Sequence, residues 1–472
     1  MKFDIKKHIS VQEVISTKNV YLNHLVKHQR KYLILLLLIV LGIPLFSNYL
    51  QNDPLIMGGE SYFHLSQTKV ISNYTFYYWP LKMIESFLPN QLLILIPLLF
   101  AVCSILMFIE VMKKTNFTMR STFFFLTLLI ISPAFIFTFI TISAYSLAIF
   151  SILLGFLLLS QKRSGWQFLS LIPFLAVIVI DIYSTFLLLL LLGIYLYFEK
   201  KEEKIKRIKI LSITIIILTM VNIVFLNLPL MMGPFHNQQL IPDLLSDLGG
   251  LSGMNFFTLI LSLIGLSITW KKKGFSFAYM ILPFTIIAYI FNTQTIIYLT
   301  MILTFFATVG MTKLFERNWN LVALKRFTFF ILVLGLLFST ITYLERVPEN
   351  SPTNSEIEVL TWMDNNFLSE RVVFSDPENS YFIDYFTEQR PYYQLNEKRF
   401  FKKEQTQGIL AALYIDELFP LLEQNEITTI YISEKMNSKL SKEQGLLFLL
   451  KNERFKIIHS YEGNEVWEFK IY

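Results

Sequence analysis

Residues 32–50, YLILLLLIVLGIPLFSNYL, form an uncharged apolar run, and Gly58-Gly59-Glu60-Ser61-Tyr62-Phe63-His64 follows it closely. A run of this length crosses the ~30 Å hydrocarbon core of a bilayer as a helix. Glu60 and His64 are four residues apart, so a helix places both side chains on one face. The pattern predicts a polar site, suited to a metal or a polar head group, at a membrane surface.

Similar apolar stretches recur through the first three-quarters of the chain, and 54% of the 472 residues are hydrophobic. This proportion is too high for a soluble domain of this size. It predicts a polytopic α-helical membrane protein, with two of the divisions between helices at Pro133 and Asp181. The eleven predicted transmembrane helices cover residues 32–50, 91–112, 121–132, 134–160, 166–180, 182–198, 209–228, 255–270, 275–291, 294–312 and 327–344.

The charges of the loops predict the orientation in the cell membrane. One set of alternate loops, together with residues 1–31, holds 25 Lys and Arg residues, whereas the opposite loops hold only Lys69 and Lys82. By the positive-inside rule, the N-terminus is cytoplasmic. An odd number of spans then places the C-terminal domain outside the cytoplasm, and membrane lipids are the expected partner of the inner positive charge.

The predicted domains are a cytoplasmic basic segment at 1–31, a transmembrane domain at 32–344 and an extracytoplasmic α/β domain at 345–472. The last region has 14 basic and 22 acidic residues. The net charge of +6 therefore resides in the membrane part and does not indicate a nucleic-acid partner. Cys103 is the single cysteine, so neither a disulfide framework nor a thiolate metal site is expected.

The C-terminal region alternates between helical and strand patterns. Ser355 and Glu358 predict a capping box that starts a helix over residues 356–367. Strands are predicted at 371–375 and 428–433, and a closing hairpin at 457–461 and 466–469 that turns at Gly463-Asn464. Further helices are predicted at residues 380–387, 409–424 and 446–452.

The outer loops also carry acids that stand apart from Glu60. Asp181 lies between two apolar runs, where an ionisable group usually faces a polar cavity. In the loop 229–254, His236, Asp243 and Asp247 precede the glycine-rich residues 249–253, whose composition permits motion. The alternative is a re-entrant or interfacial loop capped by Asp before the helix at 255. Ordinary solvated loop charge is the alternative for each of these acids.

Several motifs, taken in order, resemble the catalytic subunit of oligosaccharyltransferase. Residues 60–65 with Thr68-Lys69 resemble the Asp-Pro-Tyr-Tyr/Phe-His-Leu segment after the first membrane helix of that family. Residues 132–135 and 145–148 resemble its second outer loop. Residues 372–383 with Arg390-Pro391 resemble the strand and helix around its Trp-Trp-Asp-Tyr-Gly motif. The resemblance implies a GT-C fold and the transfer of a lipid-linked sugar.

The departures from this family are also specific. Glu60 stands where the family has its first catalytic Asp, which keeps a carboxylate. Residues 139–145 contain none of the acids that the family has in the second outer loop. Asp376-Pro377-Glu378-Asn379-Ser380 replaces the Trp-Trp-Asp-Tyr-Gly motif, which reads the Ser or Thr of an Asn-X-Ser/Thr acceptor. This replacement argues against that acceptor.

The resemblance therefore predicts a membrane glycosyltransferase of the cell envelope, with a polyprenyl-phosphate-type sugar donor and an acceptor that the sequence does not identify. The expected catalytic residues are Glu60, Asp181 and Asp243. Mg²⁺ or Mn²⁺ is the expected metal, held by Glu60 and His64. The expected substrate-binding residues are His64, Lys69, Tyr62, His236 and Asp247.

Two alternatives remain open at this stage. Because the second-loop acids are missing, the chain can instead be a catalytically inactive relative that acts as a scaffold or binds a lipid-linked glycan. The other alternative is a lipid or glycan transporter whose outer acids line a pathway, although no internal repeat supports it.

Overall fold

The computed structural model describes residues 20–69, 78–87, 89–114, 117–161, 163–199, 202–225, 240–393 and 400–470. The chain forms two compact units. The first unit contains the described residues between 20 and 46, between 78 and 225 and between 240 and 347. The second unit contains residues 47–69 and the described residues between 348 and 470. The loop that carries Glu60 is thus part of the same unit as the C-terminal region.

Helices dominate the chain up to residue 347. The described α-helices are α1 (Val20–Lys27), α2 (Gln29–Gln51), α3 (Gly59–Lys69), α4 (Tyr78–Phe87), α5 (Leu95–Lys114), α6 (Met119–Ile130), α7 (Pro133–Ile140), α8 (Ala144–Leu159), α9 (Ser164–Leu169), α10 (Leu171–Ile180), α11 (Ile182–Phe198), α12 (Glu202–Phe225), α13 (Leu240–Leu244), α14 (Phe256–Thr269), α15 (Ser276–Phe291), α16 (Ile296–Glu316) and α17 (Val322–Arg346).

The protein is a multi-pass membrane protein. By length and composition, the described residues contain five helical stretches suited to crossing a membrane, or six if the bent pair α6 and α7 forms one span. Shorter apolar helices lie at Ala144–Leu159, Gly165–Ile180, Ile182–Phe198 and Phe256–Thr269. Each of the eleven predicted segments contains helix, but the predicted number of eleven spans is not confirmed.

Local chemistry explains where several apolar stretches break. Ser132 caps α7 and Pro133 occupies its first turn, where a missing N–H costs no helical hydrogen bond. The axes of α6 and α7 differ by 65° at this point. The segment predicted as one helix at 134–160 is two, because the backbone is extended at Thr141 and Ser143. Ser143 then caps α8 by accepting a hydrogen bond from the N–H of Tyr145.

Two glycines allow close packing in the first unit. A Cβ on Gly265 of α14 would lie 1.9 Å from the carbonyl oxygen of Phe306 on α16. A Cβ on Gly310 of α16 would lie 2.3 Å from the carbonyl oxygen of Leu261 on α14. Small residues at such crossings let helix backbones approach, which is how membrane helices gain packing energy.

The second unit contains a five-stranded sheet and short helices. Its C-terminal helices are α18 (Asn354–Asn366), α19 (Ser380–Phe386), α20 (Phe400–Ala411), α21 (Ile415–Gln424), α22 (Glu434–Lys439) and α23 (Leu446–Leu449). Its strands are β1 (Val372–Phe374), β2 (Arg390–Pro391), β3 (Ile427–Ile432), β4 (Phe455–Tyr461) and β5 (Asn464–Phe469). The predicted helix at 409–424 is divided, since α20 ends at Ala411 and α21 begins at Ile415.

The strand order is β2-β1-β3-β5-β4, with β1 parallel to β2 and β3 and with β5 antiparallel to β3 and β4. Apolar side chains from β1, β3 and the packed helices form one core, which includes Phe374, Ile430 and Leu422. The predicted C-terminal hairpin is present, but its turn is Glu462-Gly463 and not Gly463-Asn464, because Asn464 is the first residue of β5. Glu462 and Gly463 have φ angles of 45° and 82°, as a two-residue turn with positive φ at both positions requires.

The capping box of α18 differs from the prediction by two residues. Thr353, not Ser355, caps the helix, and Glu356, not Glu358, completes the box. Ser355 instead accepts a hydrogen bond from the Asn464 side chain, 3.2 Å away. A contact with a strand more than a hundred residues distant therefore determines which hydroxyl caps the helix.

Candidate functional site

Helix α3 begins at a pair of glycines that serve different purposes. Gly58 has a φ of +75°, in the left-handed region that L-residues with a Cβ rarely adopt. Its N–H donates to the Ser351 hydroxyl at 3.3 Å. Gly59 lies against the ring of Tyr381, where a Cβ would be 3.0 Å from Cδ2. The two glycines thus place Glu60 in the first turn of α3, close to α19.

Glu60 and His64 lie side by side on α3, as their spacing predicts. His64 Nε2 is 3.6 Å from Glu60 Oε1. Glu60 is 3% exposed and His64 is 6% exposed. A buried carboxylate is costly unless polar or charged groups stabilise it, and such groups cluster at functional sites. The pair is therefore the strongest candidate for chemistry in the second unit.

Helix α3 packs on α19 through aromatic side chains. The ring of Tyr62 lies 5.3 Å from those of Phe382 and Phe386 and 5.4 Å from that of Tyr385. The Tyr62 hydroxyl donates to the carbonyl oxygen of Ile56 at 3.2 Å. Tyr62 is 2% exposed and its hydroxyl is engaged, and its predicted role toward a substrate stays a prediction.

Tyr381 connects this packing to Glu60. Its ring lies 5.4 Å from that of Phe63, and the residue is 3% exposed. Within the described part of the chain, no group forms a hydrogen bond with the Tyr381 hydroxyl. Burial, and then the nearby charge of Glu60, hold the pKa of this phenol well above its ordinary value. The phenol therefore stays protonated and keeps an O–H to donate.

Lys69, at the end of α3, also contacts α19. Its ammonium donates to the carbonyl oxygen of Tyr385 and lies 4.5 Å from the centre of the same ring. The side chain fastens the end of α3 to α19. The binding of a substrate by Lys69 stays a prediction. A substrate would have to bind Lys69 while the ammonium keeps its contact with Tyr385.

Residues 375–379 connect β1 to α19, and by the resemblance of the motifs they stand where the family has its acceptor-reading motif. The Asn379 amide donates to the hydroxyls of Ser375 and Ser433, at 2.9 and 3.1 Å, and so ties the ends of β1 and β3 together. Asp376 accepts the N–H of Glu378 at 3.3 Å. Burial, and then the charge of Glu378, raise the pKa of the Asp376 carboxyl. This loop is polar and acidic where the family has tryptophans.

Asp181 belongs to the first unit, where it caps α11. Its Oδ2 accepts hydrogen bonds from the N–H and the hydroxyl of Ser184, at 2.7 and 2.9 Å. The Ser184 hydroxyl is 2.6 Å from that of Tyr298. Asp181 is 6% exposed, so it does not face water, as it would if it only marked a break between two helices. The capping contact explains its presence, and its catalytic role stays a prediction.

Asp243 and Asp247 also belong to the first unit. Asp247 Oδ2 accepts the N–H of Phe256 at 2.6 Å, so this residue caps α14 as the alternative interpretation held. Asp243 lies within electrostatic reach of the Tyr289 hydroxyl. A substrate role for either acid stays a prediction. His236 lies outside the described residues.

Two of the glycines at 249–253 form close contacts. A Cβ on Gly250 would lie 2.2 Å from the carbonyl oxygen of Pro242, and one on Gly253 would lie 2.6 Å from the nitrogen of Ser246. The carbonyl oxygen of Gly253 also accepts the N–H of Ala134 at 2.9 Å. Gly250 and Gly253 therefore allow close backbone packing, and the motion of the loop stays a prediction.

No protein-family model matches the chain, and no curated protein sequence is detectably similar to it. Among solved structures, the apo crystal structure of the Archaeoglobus fulgidus oligosaccharyltransferase is similar, with a TM-score of 0.55 and 10% sequence identity. The match covers 86% of this chain and 70% of that protein. The chain has the fold of an oligosaccharyltransferase. The resemblance inferred from the motifs is thus confirmed at the level of the fold.

A second structure of the Archaeoglobus fulgidus oligosaccharyltransferase, in complex with Zn and sulfate, has a TM-score of 0.51 and 10% identity. That match covers 88% of this chain and 70% of the other. In the part of this chain that the structure describes, no three His, Cys, Asp or Glu side chains converge as metal ligands do.

Glu60 and His64 supply one carboxylate and one imidazole toward the Mg²⁺ or Mn²⁺ that the resemblance implies. Mg²⁺ is commonly held by one or two carboxylates together with waters and substrate phosphates, so this pair would be only part of such a shell. The metal site stays a prediction.

Tyr381, whose ring lies against Gly59, is a buried polar residue that the sequence motifs do not single out. It lies within the quoted motif, but a tyrosine in an apolar helix is usually a core residue. Only the packing of α3 on α19 shows that its hydroxyl is buried near Glu60 without a partner among the described residues. The sequence feature that could have singled out Tyr381 is its position just after the polar residues 375–380, where a strand is followed by a helix.

Proposed function

We propose that the protein is a membrane glycosyltransferase that moves a sugar or glycan from a polyprenyl-phosphate-type donor to an acceptor at the outer face of the membrane. The observation that carries the proposal is the buried Glu60 carboxylate, which lies 3.6 Å from His64 on a helix held by α19. The oligosaccharyltransferase fold supports it, since the first outer loop of that family carries a catalytic acid.

Glu60 is the general base in this mechanism. It takes the proton of the acceptor's nucleophilic group, whose freed electron pair attacks C1 of the sugar from the face opposite the leaving group. The bond from C1 to the phosphate oxygen breaks, and the lipid phosphate leaves with its electron pair. The configuration at C1 inverts. His64 orients the Glu60 carboxylate or contacts the phosphate.

The finer topology belongs to the same proposal. Eleven spans, a cytoplasmic N-terminus and an extracytoplasmic C-terminal unit would bring Glu60 to the outer face. The asymmetry of 25 basic residues against Lys69 and Lys82 supports this orientation. Asp181 and Asp243 would be auxiliary acids of the transmembrane part.

The decisive experiment compares the full-length protein with Glu60→Gln in nanodiscs. Labelled polyprenyl-phosphate hexose and polyprenyl-pyrophosphate hexose serve as donors, and octyl glucoside, N-octanoyl-asparaginamide and water as acceptors, with and without Mg²⁺ and Mn²⁺. Loss of the base should lower kcat by about 10²–10⁴-fold, with an unchanged Km for the donor. His459→Gln, a change on β4 away from Glu60, serves as the control.

The missing acids of the second outer loop favour one alternative, a non-catalytic protein that binds a lipid-linked glycan. In that case both proteins bind donor with equal affinity and neither releases sugar. Equal turnover in the wild type and Glu60→Gln would also contradict the proposed role of Glu60. Movement of the donor across liposomes without transfer would support a transporter instead.

A further inference from the structure

The start of α3 is fixed by a residue far along the chain. Gly58 directly precedes the helix, and its carbonyl oxygen accepts the N–H of Ser61 at 3.0 Å, which closes the first turn. The N–H of Gly58 donates to the hydroxyl of Ser351 at 3.3 Å. Because Glu60 follows Gly58 by two residues, the position of Ser351 constrains where the first turn places the proposed base.

Ser351 is itself held by a third part of the chain. The residue is 2% exposed, and its N–H donates to the carbonyl oxygen of Pro348 at 2.9 Å. Its own carbonyl oxygen accepts a hydrogen bond from the ammonium of Lys435 at 2.7 Å. Lys435 lies on α22, directly after β3. Its side chain therefore connects the end of a central strand to the residue that binds Gly58.

A buried carboxylate keeps the ammonium of Lys435 in this place. The Nζ atom lies 3.7 Å from Glu356 Oε2, and the Glu356 side chain is only 2% exposed, whereas that of Lys435 is 37% exposed. The same oxygen accepts the N–H of Thr353 at 2.9 Å. Loss of one partner would leave the other charge of a buried pair uncompensated. The pair therefore holds Lys435 where it donates to Ser351.

The other end of the loop between α2 and α3 is held by the same segment. The N–H of Asn354 donates to the Asp53 carboxylate at 3.0 Å, and its side-chain amide donates to the carbonyl oxygen of Asn52. Residues 351–354 thus bind both ends of this loop. Lys435 acts on the end that leads into Glu60.

We propose that Ser351 and Lys435 are positioning residues for Glu60. They act through the backbone of Gly58 and take no part in the bond changes. The inference rests on the proposed transfer reaction, in which the Glu60 carboxylate must lie within hydrogen-bond reach of the acceptor's proton. A catalytic group needs such support from its surroundings, since a displacement of about 1 Å can cost about 10²-fold in rate.

The test uses the full-length protein in nanodiscs, with the labelled polyprenyl-phosphate hexose and the three nucleophiles named above. Lys435→Met removes the bond to Ser351 and also leaves Glu356 without its counterion, so kcat and the melting temperature should both fall. Lys435→Met combined with Glu356→Gln removes both charges and keeps an oxygen for the N–H of Thr353, so the melting temperature should recover. The kcat of this double variant should stay about 10–10²-fold below that of the wild type, with an unchanged Km for the donor.

Two further variants separate positioning from stability. Ser351→Ala removes the acceptor of the Gly58 N–H but keeps the carbonyl oxygen for Lys435, so it should lower kcat with the ion pair intact. Lys435→Arg keeps a cation with several N–H donors and should restore part of kcat. Lys442→Met, which changes an exposed lysine of the same unit, is the control and should leave kcat and the melting temperature unchanged.

Amide hydrogen exchange gives a readout that does not depend on turnover. In the double variant, a peptide that covers residues 58–64 should exchange faster than in the wild type. A peptide from β3 should exchange at the same rate in both proteins, because that strand keeps its neighbours in the sheet.

Three outcomes would overturn the inference. A kcat that recovers together with the melting temperature in the double variant would leave Lys435 with a structural role only. Unchanged exchange at residues 58–64 would remove the connection through Ser351. In both cases the glycosyltransferase proposal survives, because it depends on turnover by the wild type. If the wild type releases no sugar from either polyprenyl donor with any of the three nucleophiles, the proposed function fails and the inference fails with it.

Discussion

At the scale of single residues, burial separates side chains of similar chemistry. Tyr62 and Tyr381 lie on facing helices, yet only the first has a hydrogen-bond partner for its hydroxyl among the described residues. Asp247 and Asp181 cap helices through backbone N–H groups. Glu60 instead has a titratable neighbour at i+4, His64. Residue type alone does not reveal these contacts. They distinguish Glu60, a candidate general base, from acids that cap helices.

Asp376 gives a prediction about pH. Because burial and Glu378 raise its pKa, the folded protein binds more protons than the unfolded chain between the ordinary pKa of Asp and the raised value. The free energy of unfolding therefore falls as the pH rises through that window. Asp376→Asn should remove this part of the dependence, so the melting temperature of the variant should decline less from acidic pH toward neutral pH.

Thermal unfolding of the full-length protein across this pH range checks the prediction. Glu453→Gln, which removes an exposed acid elsewhere in the second unit, is the control and should leave the dependence unchanged. A curve for Asp376→Asn that parallels the wild type would show that the carboxyl has no perturbed titration in the folded state.

At the scale of elements, helix starts show how local patterns compete with tertiary contacts. Both Thr353 and Ser355 are good caps by sequence, and each is followed three residues later by a glutamate. The box forms at Thr353 and Glu356, because Ser355 is engaged by Asn464 of β5. The helix is predictable from its sequence, but its first residue is not.

Thr353→Ala should therefore lower the free energy of unfolding of the second unit by about 1 kcal/mol, the usual contribution of an N-cap hydroxyl. Thr361→Ala, in the middle of the same helix, is the matched control. Its hydroxyl bonds only to the preceding turn, and alanine has the higher helix propensity, so stability should stay the same or rise.

Urea unfolding of the two variants measures this difference. If Thr353→Ala and Thr361→Ala have equal midpoints, the capping box contributes nothing. Such a result would also remove the reason for placing the start of α18 at Asn354.

At the scale of the whole molecule, helix α3 and the C-terminal region form one unit although almost 300 residues separate them. Tyr62 is the centre of this association, with three aromatic rings of α19 within 5.4 Å. The proposed base is therefore held by the unit that also carries residues 375–379. Helix α3 and the C-terminal region should unfold together.

Tyr62→Ala should destabilise the C-terminal region by about 3–5 kcal/mol, the typical cost of deleting a buried aromatic side chain. Limited trypsin digestion of the full-length protein should then cleave residues 345–472 faster. Tyr414→Ala, which removes a 67% exposed ring on the same unit, should leave the digestion rate unchanged. Equal rates for both variants would mean that the loop does not stabilise the domain.

The sequence by itself determined the class of the protein, because charge-free apolar runs and the asymmetry of basic loops follow directly from the cost of burying charge in lipid. It also predicted the β1, β3, β4 and β5 strands, the C-terminal hairpin with its turn one residue late, and the Glu60–His64 pair, since each depends on neighbours a few residues apart. The order of motifs identified the fold. The break in the segment 134–160, the division of 409–424 and the number of spans were not determined in this way.

Only the tertiary structure decided which residues work together. It placed Tyr62 in a core, used Gly250 and Gly253 for packing, and set the ring of Tyr381 against Gly59. These relations join residues that are tens to hundreds of positions apart. No local periodicity encodes them, because they depend on which apolar faces bury each other when the chain folds.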